Sequence, residues 1–131
     1  MIGIICAMDK ELESFKTSLV NKNVLEVMGF QFFTGNINEH SVVIVKSGIG
    51  KVSAGIVTLL MIEHFKPTMI INSGIAGGYN QNLKPLDIVV CNKVGCYDID
   101  MVLDGTLYGS ITGEKRFIEN HLKISDDLGL N

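Results

Sequence analysis

The chain has 131 residues, 47% of them apolar and only 19% charged, with a formal net charge of −3. That length suits one domain or part of one, and the apolar share suits a well-buried core rather than a disordered segment. The acidic balance and the lack of any Lys/Arg cluster exclude an electrostatic nucleic-acid binder.

Residues 1–7, Met1-Ile2-Gly3-Ile4-Ile5-Cys6-Ala7, read as a buried strand. No basic run precedes them, so no secretion signal is read and a reducing cytoplasm is the expected compartment. A helix is expected over residues 10–19, with Leu12, Phe15 and Leu19 on one face. Residues 24–28, 30–34 and 42–46 then suggest a meander of short strands, with turns at Gly29 and at Gly35-Asn36. Residues 50–65 make the next helix, apolar around most of its circumference and stopped by Pro67. Such a helix belongs deep in a structure or in a subunit interface. Its apolar run over 56–62 is far short of the roughly 20 residues that cross a bilayer.

Residues 69–72 read as a core strand, and 87–91 as another after a turn at Lys84-Pro85. The alternating Tyr97-Asp98-Ile99-Asp100 is a candidate strand. Residues 114–128 form an amphipathic helical pattern with Phe117, Ile118, His121, Leu122, Ile124 and Leu128 on its apolar side, and Gly129 is a plausible stop. The element order implies an α/β fold, a three-layer sandwich around a mixed sheet, within a single domain over 1–131. With only Leu130-Asn131 after the last helix, the sheet is expected to be unfinished, with an edge or an apolar face open.

Three strands end in small residues or a carboxylate: the first at Met8-Asp9-Lys10-Glu11, the others at Ser47-Gly48-Ile49-Gly50-Lys51 and Asn72-Ser73-Gly74-Ile75-Ala76-Gly77-Gly78. Ligand clefts of α/β sheets lie along that carboxyl edge. The second segment is neither a phosphate loop, because Val52 follows Lys51, nor a dinucleotide fingerprint, because Gly55 comes one position late. Taken alone it is more often a tight strand-to-helix turn. In the third segment, small residues around one bulky Ile75 suit close approach of a planar ligand to the backbone, with packing or turn geometry as the alternative. Glu11 falls in a first helical turn, where the macrodipole favours its anion. It can position and activate water there, or simply satisfy helix amides.

Cys6, Cys91 and Cys96 cannot all pair and form no CxxC; Cys6 and Cys91, inside apolar strands, read as small buried hydrophobes. His40, His64 and His121 have no surroundings that suggest catalysis. No credible metal-ligand spacing and no GxSxG nucleophile elbow occur.

These segments, in this order, resemble the nucleoside phosphorylase/hydrolase superfamily, and within it the bacterial 5'-methylthioadenosine/S-adenosylhomocysteine nucleosidases. The resemblance rests on residues 2–8 with Glu11, on 46–52 and on 70–78; Leu86-Asp87-Ile88-Val89-Val90 and 97–100 continue it in register. It implies hydrolysis of the N-glycosidic bond between adenine and a 5'-thio-substituted ribose through a ribosyl cation-like transition state, without metal or organic cofactor. Glu11 matches the family's water-activating carboxylate. Met8 and Ile49 match positions lining the ribose and base pocket, and Ile75, Ala76 and Gly77 match the loop beside the ligand. Lys51 looks more like the hydrolases than the phosphorylases, whose phosphate-gripping Arg is not identified here.

The chain also departs from the family pattern. Ile75 stands where a Ser is often found, and Asp104 and Thr106 stand in the usually aromatic loop that enters a neighbouring subunit's pocket. The family's later residues, a base-stacking Phe, a Met-Glu-x-Glu ribose clamp and the Asp that protonates adenine, have no match after residue 113. Loss of a general acid alone removes about 10²–10⁴-fold of rate, so the isolated chain is expected to turn over little substrate. The expected partners are a small-molecule purine nucleoside and either a second copy or a companion chain, with no nucleic acid and no membrane. Two other readings stay open: a phosphorylase or hydrolase of another nucleoside, and a non-catalytic truncated domain that binds a nucleoside or docks a partner.

Overall fold

Residue 3 onward in the first strand is apolar on both sides, which requires cover on both faces of a sheet. The computed structural model, which describes residues 1–78, 80–91 and 94, provides that cover. In chain order the elements are β1 (Ile2–Cys6), α1 (Asp9–Thr17), β2 (Val20–Val27), β3 (Phe30–Ile37), β4 (His40–Lys46), α2 (Lys51–Phe65) and β5 (Met69–Asn72). The strands form one mixed sheet in the order β2-β3-β4-β1-β5. β1 pairs in parallel with β4 and β5, while β2, β3 and β4 form an antiparallel meander. An α/β sandwich around a mixed sheet is therefore the observed fold class.

Strand alternation splits the core into two layers. Ile4, Cys6, Phe33, Val42 and Ile44 face α1, meeting Leu12 with Phe15 and Leu19 packed alongside. Ile5, Phe32, Val43 and Val45 face the other way, onto Val57 and Met61 of α2. Full burial of an aliphatic side chain of this size contributes about 1.5–3 kcal/mol, so these two clusters supply most of the sandwich's cohesion. The Phe32 and Phe65 rings, 5.0 Å apart, tie β3 to the end of α2. Helix α2 then stops at Lys66, whose left-handed backbone (φ 47) and amide bond to Ile62 O close the last turn before Pro67.

The β2–β3 hairpin turns at Met28-Gly29, both with positive φ, between the paired Val27 and Phe30. The expected turn at Gly35-Asn36 is not there: both residues lie inside β3, opposite Val42 and Ser41, and the chain reverses at Asn38-Glu39. Gly35 has another cause. β2 bulges between Val20 and Asn23, and a Cβ on residue 35 would stand 2.5 Å from Val20 O. The glycine admits the bulged strand rather than bending its own.

Residues Met1–Gly77 form one compact unit and Gly78–Asn131 another. In the second unit the turn expected at Lys84-Pro85 is present: Asp87 N donates to Lys84 O at 3.1 Å, and Lys84 N to the Asp87 carboxylate at 2.8 Å. The strand expected over 87–91 is not formed, and Ile88, Val89 and Cys91, the last expected to be buried, are exposed. Their β propensity becomes a strand only with a neighbour to pair with, and none of the described residues supplies one. The strand expected at 97–100, the helix expected at 114–128, and Cys96, Asp104 and Thr106 lie outside the described residues.

Candidate functional site at the carboxyl edge of the sheet

Register fixes where the chemistry collects. Cys6 lies opposite Lys46, and Ile5 opposite Asn72, so β1, β4 and β5 end level at one edge. The segments that leave this edge begin at Ala7, Ser47 and Ser73. Two further bonds hold them to β1: Ser47 N donates to Cys6 O at 2.8 Å and Ser73 N to Ile5 O at 3.0 Å. The Ser47 hydroxyl is buried and lies within hydrogen-bond distance of Cys6 O and Gly48 O.

Met8 adopts an extended conformation (φ −125, ψ 156) and starts α1, which puts Glu11 at the third helical position. From there a glutamate reaches back to the amides that open the helix. Glu11 Oε2 accepts from Ala7 N and from Met8 N, each at 2.9 Å. Its other oxygen, Oε1, accepts from Ile75 N at 3.1 Å, across 64 residues of sequence. The amide of Ile75 and then that of Met8 hold the Glu11 carboxyl below its ordinary range; desolvation opposes them, and the amide of Ala7 adds the least. The group is an anion at neutral pH.

The neighbouring Cys6 thiol is pushed up to about 11, first by burial and then by the Glu11 charge. It is a protonated core side chain and no nucleophile. Asp9, also in the first turn of α1, pairs with Lys46 at 2.9 Å and ties the helix start to the end of β4.

The structure thus brings Glu11, Met8 and Ile75 together at this edge, with Ala76 and Gly77 following in the same exposed loop. Ile49 lies on the loop that leaves the neighbouring strand β4; it and Ile75 are each 82% exposed, large aliphatic groups left in solvent. The bonds from Ala7 N and Met8 N are the helix-amide alternative that the sequence offered for Glu11; the third, from Ile75 N, has no local signal. A cavity of about 350 Å³ elsewhere, lined by Ile2, Phe15, Ile37, His40, Val42 and Ile71 among others, opens on the α1 face and includes none of the loop residues. Among the described residues no group of three or more His, Cys, Asp or Glu side chains could hold a metal ion, and no helix is long and apolar enough to cross a membrane.

The 5'-methylthioadenosine/S-adenosylhomocysteine nucleosidase of Oceanobacillus iheyensis is 37% identical over 137 aligned residues, which cover 99% of this chain and 60% of that protein. Among solved structures, the Colwellia psychrerythraea nucleosidase of the same name, in complex with adenine, is 38% identical with a TM-score of 0.80, over 85% of this chain and 46% of that one. The enzyme from S. pneumoniae with the transition-state inhibitor MT-ImmA is 35% identical with a TM-score of 0.81, over 86% and 49%. The chain spans about half to three-fifths of the length of these relatives. Residues 1–123 match the sequence profile of the phosphorylase superfamily, and to that family the chain belongs.

Proposed function

We propose that this chain carries the water-orienting part of a purine nucleosidase site, acting on 5'-methylthioadenosine and S-adenosylhomocysteine with release of adenine. In that reaction a water oxygen bonds to C1' of the ribose as the C1'–N9 bond breaks, the pair from that bond leaves with adenine, the water gives up one proton, and adenine takes up one. One observation carries the reading: Glu11, an anion fixed at the carboxyl edge by amides from both the β1–α1 turn and the β5 loop. A carboxylate offers about four acceptor positions, and three amides fill all but one. The remaining position on Oε1 can take a proton of a water. Held ionised, the group is a weak base, which suits attack on a carbon that already carries positive charge.

Met8, Ile49, Ile75, Ala76 and Gly77 are the proposed lining for substrate, and Asp104 and Thr106 the proposed contribution to a partner's pocket. The names of the relatives support this substrate class, since two of their structures hold adenine and a transition-state inhibitor. Self-association through α2 is part of the proposal, supported by the exposure of Val52, Ile56, Leu59 and Ile62 along that helix. So is operation as a single domain in the cytoplasm, without cofactor.

The test is adenine release from methylthioadenosine by the purified chain, alone and mixed with a polypeptide matching the remaining length of a curated relative. Release that needs Glu11 and ignores phosphate is the expected result in the mixture. Phosphate-dependent release would put a phosphorylase in its place. No release, together with no adenine binding by calorimetry, would remove the enzymatic reading.

A further inference from the structure

Gly74 separates Ser73, anchored to β1, from Ile75, whose amide holds Glu11. Its backbone is not left-handed, so conformation alone does not demand a glycine there. Space does. A Cβ on residue 74 would stand 2.6 Å from Glu11 Oε1, 3.0 Å from Cδ and 3.3 Å from Oε2, all closer than ordinary contact. The loop side is pinned by the Ser73 N–Ile5 O bond, and the carboxylate side by the amides of Ala7 and Met8. What can yield is the far end of the Glu11 side chain.

We infer that Gly74 is a positioning residue for Glu11: its missing side chain lets the β5 loop close onto the carboxylate and fix Oε1, the oxygen with an acceptor position to spare. The inference rests on Glu11 being the working anion of the proposed reaction, but its test does not need turnover. A methyl group at residue 74 displaces the carboxylate, breaks the bond to Ile75 N and leaves the sheet intact, because a flexible side-chain end moves and no backbone does.

The experiment uses the full chain. In Gly74→Ala, exchange of the Ile75 amide with solvent should speed up about tenfold or more, as expected for loss of a charge-assisted hydrogen bond. The ¹³C resonance of the Glu11 carboxyl should titrate nearer the ordinary glutamate value of about 4.3. The Cys6 thiol, which the Glu11 charge itself raises, and the Asp9–Lys46 ion pair are the other titratable or charged groups in this corner. Where Gly74→Ala folds poorly, the Glu11→Ala background decides: the added methyl there meets no carboxylate, so it should disturb folding less than in the parent chain. An unchanged amide and an unchanged titration in folded Gly74→Ala, or an equal disturbance in both backgrounds, would overturn the inference. Absence of adenine release from the complemented parent chain would instead remove the proposed reaction and leave this positional claim to the spectra.

Discussion

Asp9, the first residue of α1, and Lys46, the last of β4, are joined by an ion pair at 2.9 Å, although both side chains are largely in solvent. The pair bridges the start of the helix that carries Glu11 and the start of the loop that carries Ile49. Exposed pairs of this kind contribute roughly 0–1 kcal/mol. Lys46→Ala should therefore lower the urea midpoint only slightly, and the difference should vanish in high salt. Asp9→Asn should cost somewhat more at low salt, because it also removes a negative charge from the positive end of the α1 dipole.

Acid should act through Glu11. Its carboxyl titrates below the ordinary value in the folded chain, so the stability it contributes is present above the unfolded value of about 4.3. That contribution is lost as pH falls through the lower folded value. Urea unfolding at pH 7, 5 and 3.5 should show Glu11→Gln less stable than the parent at pH 7 and 5. The two should converge only as pH falls through the lowered folded value. A difference independent of pH would mean that the carboxylate's charge is not what the three amides stabilise.

Met28 is an exposed methionine with φ 49 in a two-residue hairpin turn, followed by Gly29 at φ 81. Positive φ at both central positions is the geometry that Asn-Gly fills most easily, whereas an ordinary side chain there costs about 1–2 kcal/mol. Met28→Asn should raise stability by about 0.5–1 kcal/mol, seen as a higher melting temperature.

The two sides of α2 should respond differently. Met61 is fully buried against β1 and β4, and Met61→Ala should cost about 2–5 kcal/mol. Ile56 is 49% exposed, and Ile56→Lys should change folding stability by less than about 0.5 kcal/mol. The same substitution should lower the sedimentation coefficient of the chain at micromolar concentration if α2 mediates self-association. An unchanged coefficient would take the interface away from this helix.

Much of this architecture was legible because its signals are local. Apolar runs ending in small residues located β1, β4 and β5, and helical spacing of Leu12 and Phe15 located α1 and its buried side, although Leu19, expected on that helical face, lies beyond the helix end at Thr17. Pro67 marked the end of α2. Gly35 and the 87–91 segment were misread for one shared reason, since each depends on a partner distant in sequence. A glycine looks the same whether it turns the chain or makes room for Val20 O, and Ile88-Val89-Val90 cannot show in isolation whether a strand will lie beside it. The site behaved likewise. Glu11 and the loop at 73–77 could be picked out separately, but the bond from Ile75 N to Oε1 exists only because parallel pairing brings two strand ends level.

That pairing also sets an order of assembly. Strand β1 finds its hydrogen-bonding neighbours only in residues 42–46 and 69–72, whereas β2, β3 and β4 close on one another through short hairpins. A nascent chain would therefore hold this water-averse segment unpaired until residues 42–46 had been made, and open along its other edge until 69–72 followed. During that delay the exposed strand is prone to clump or to be captured by chaperones, and yield at high expression should hinge on how fast synthesis reaches Asn72.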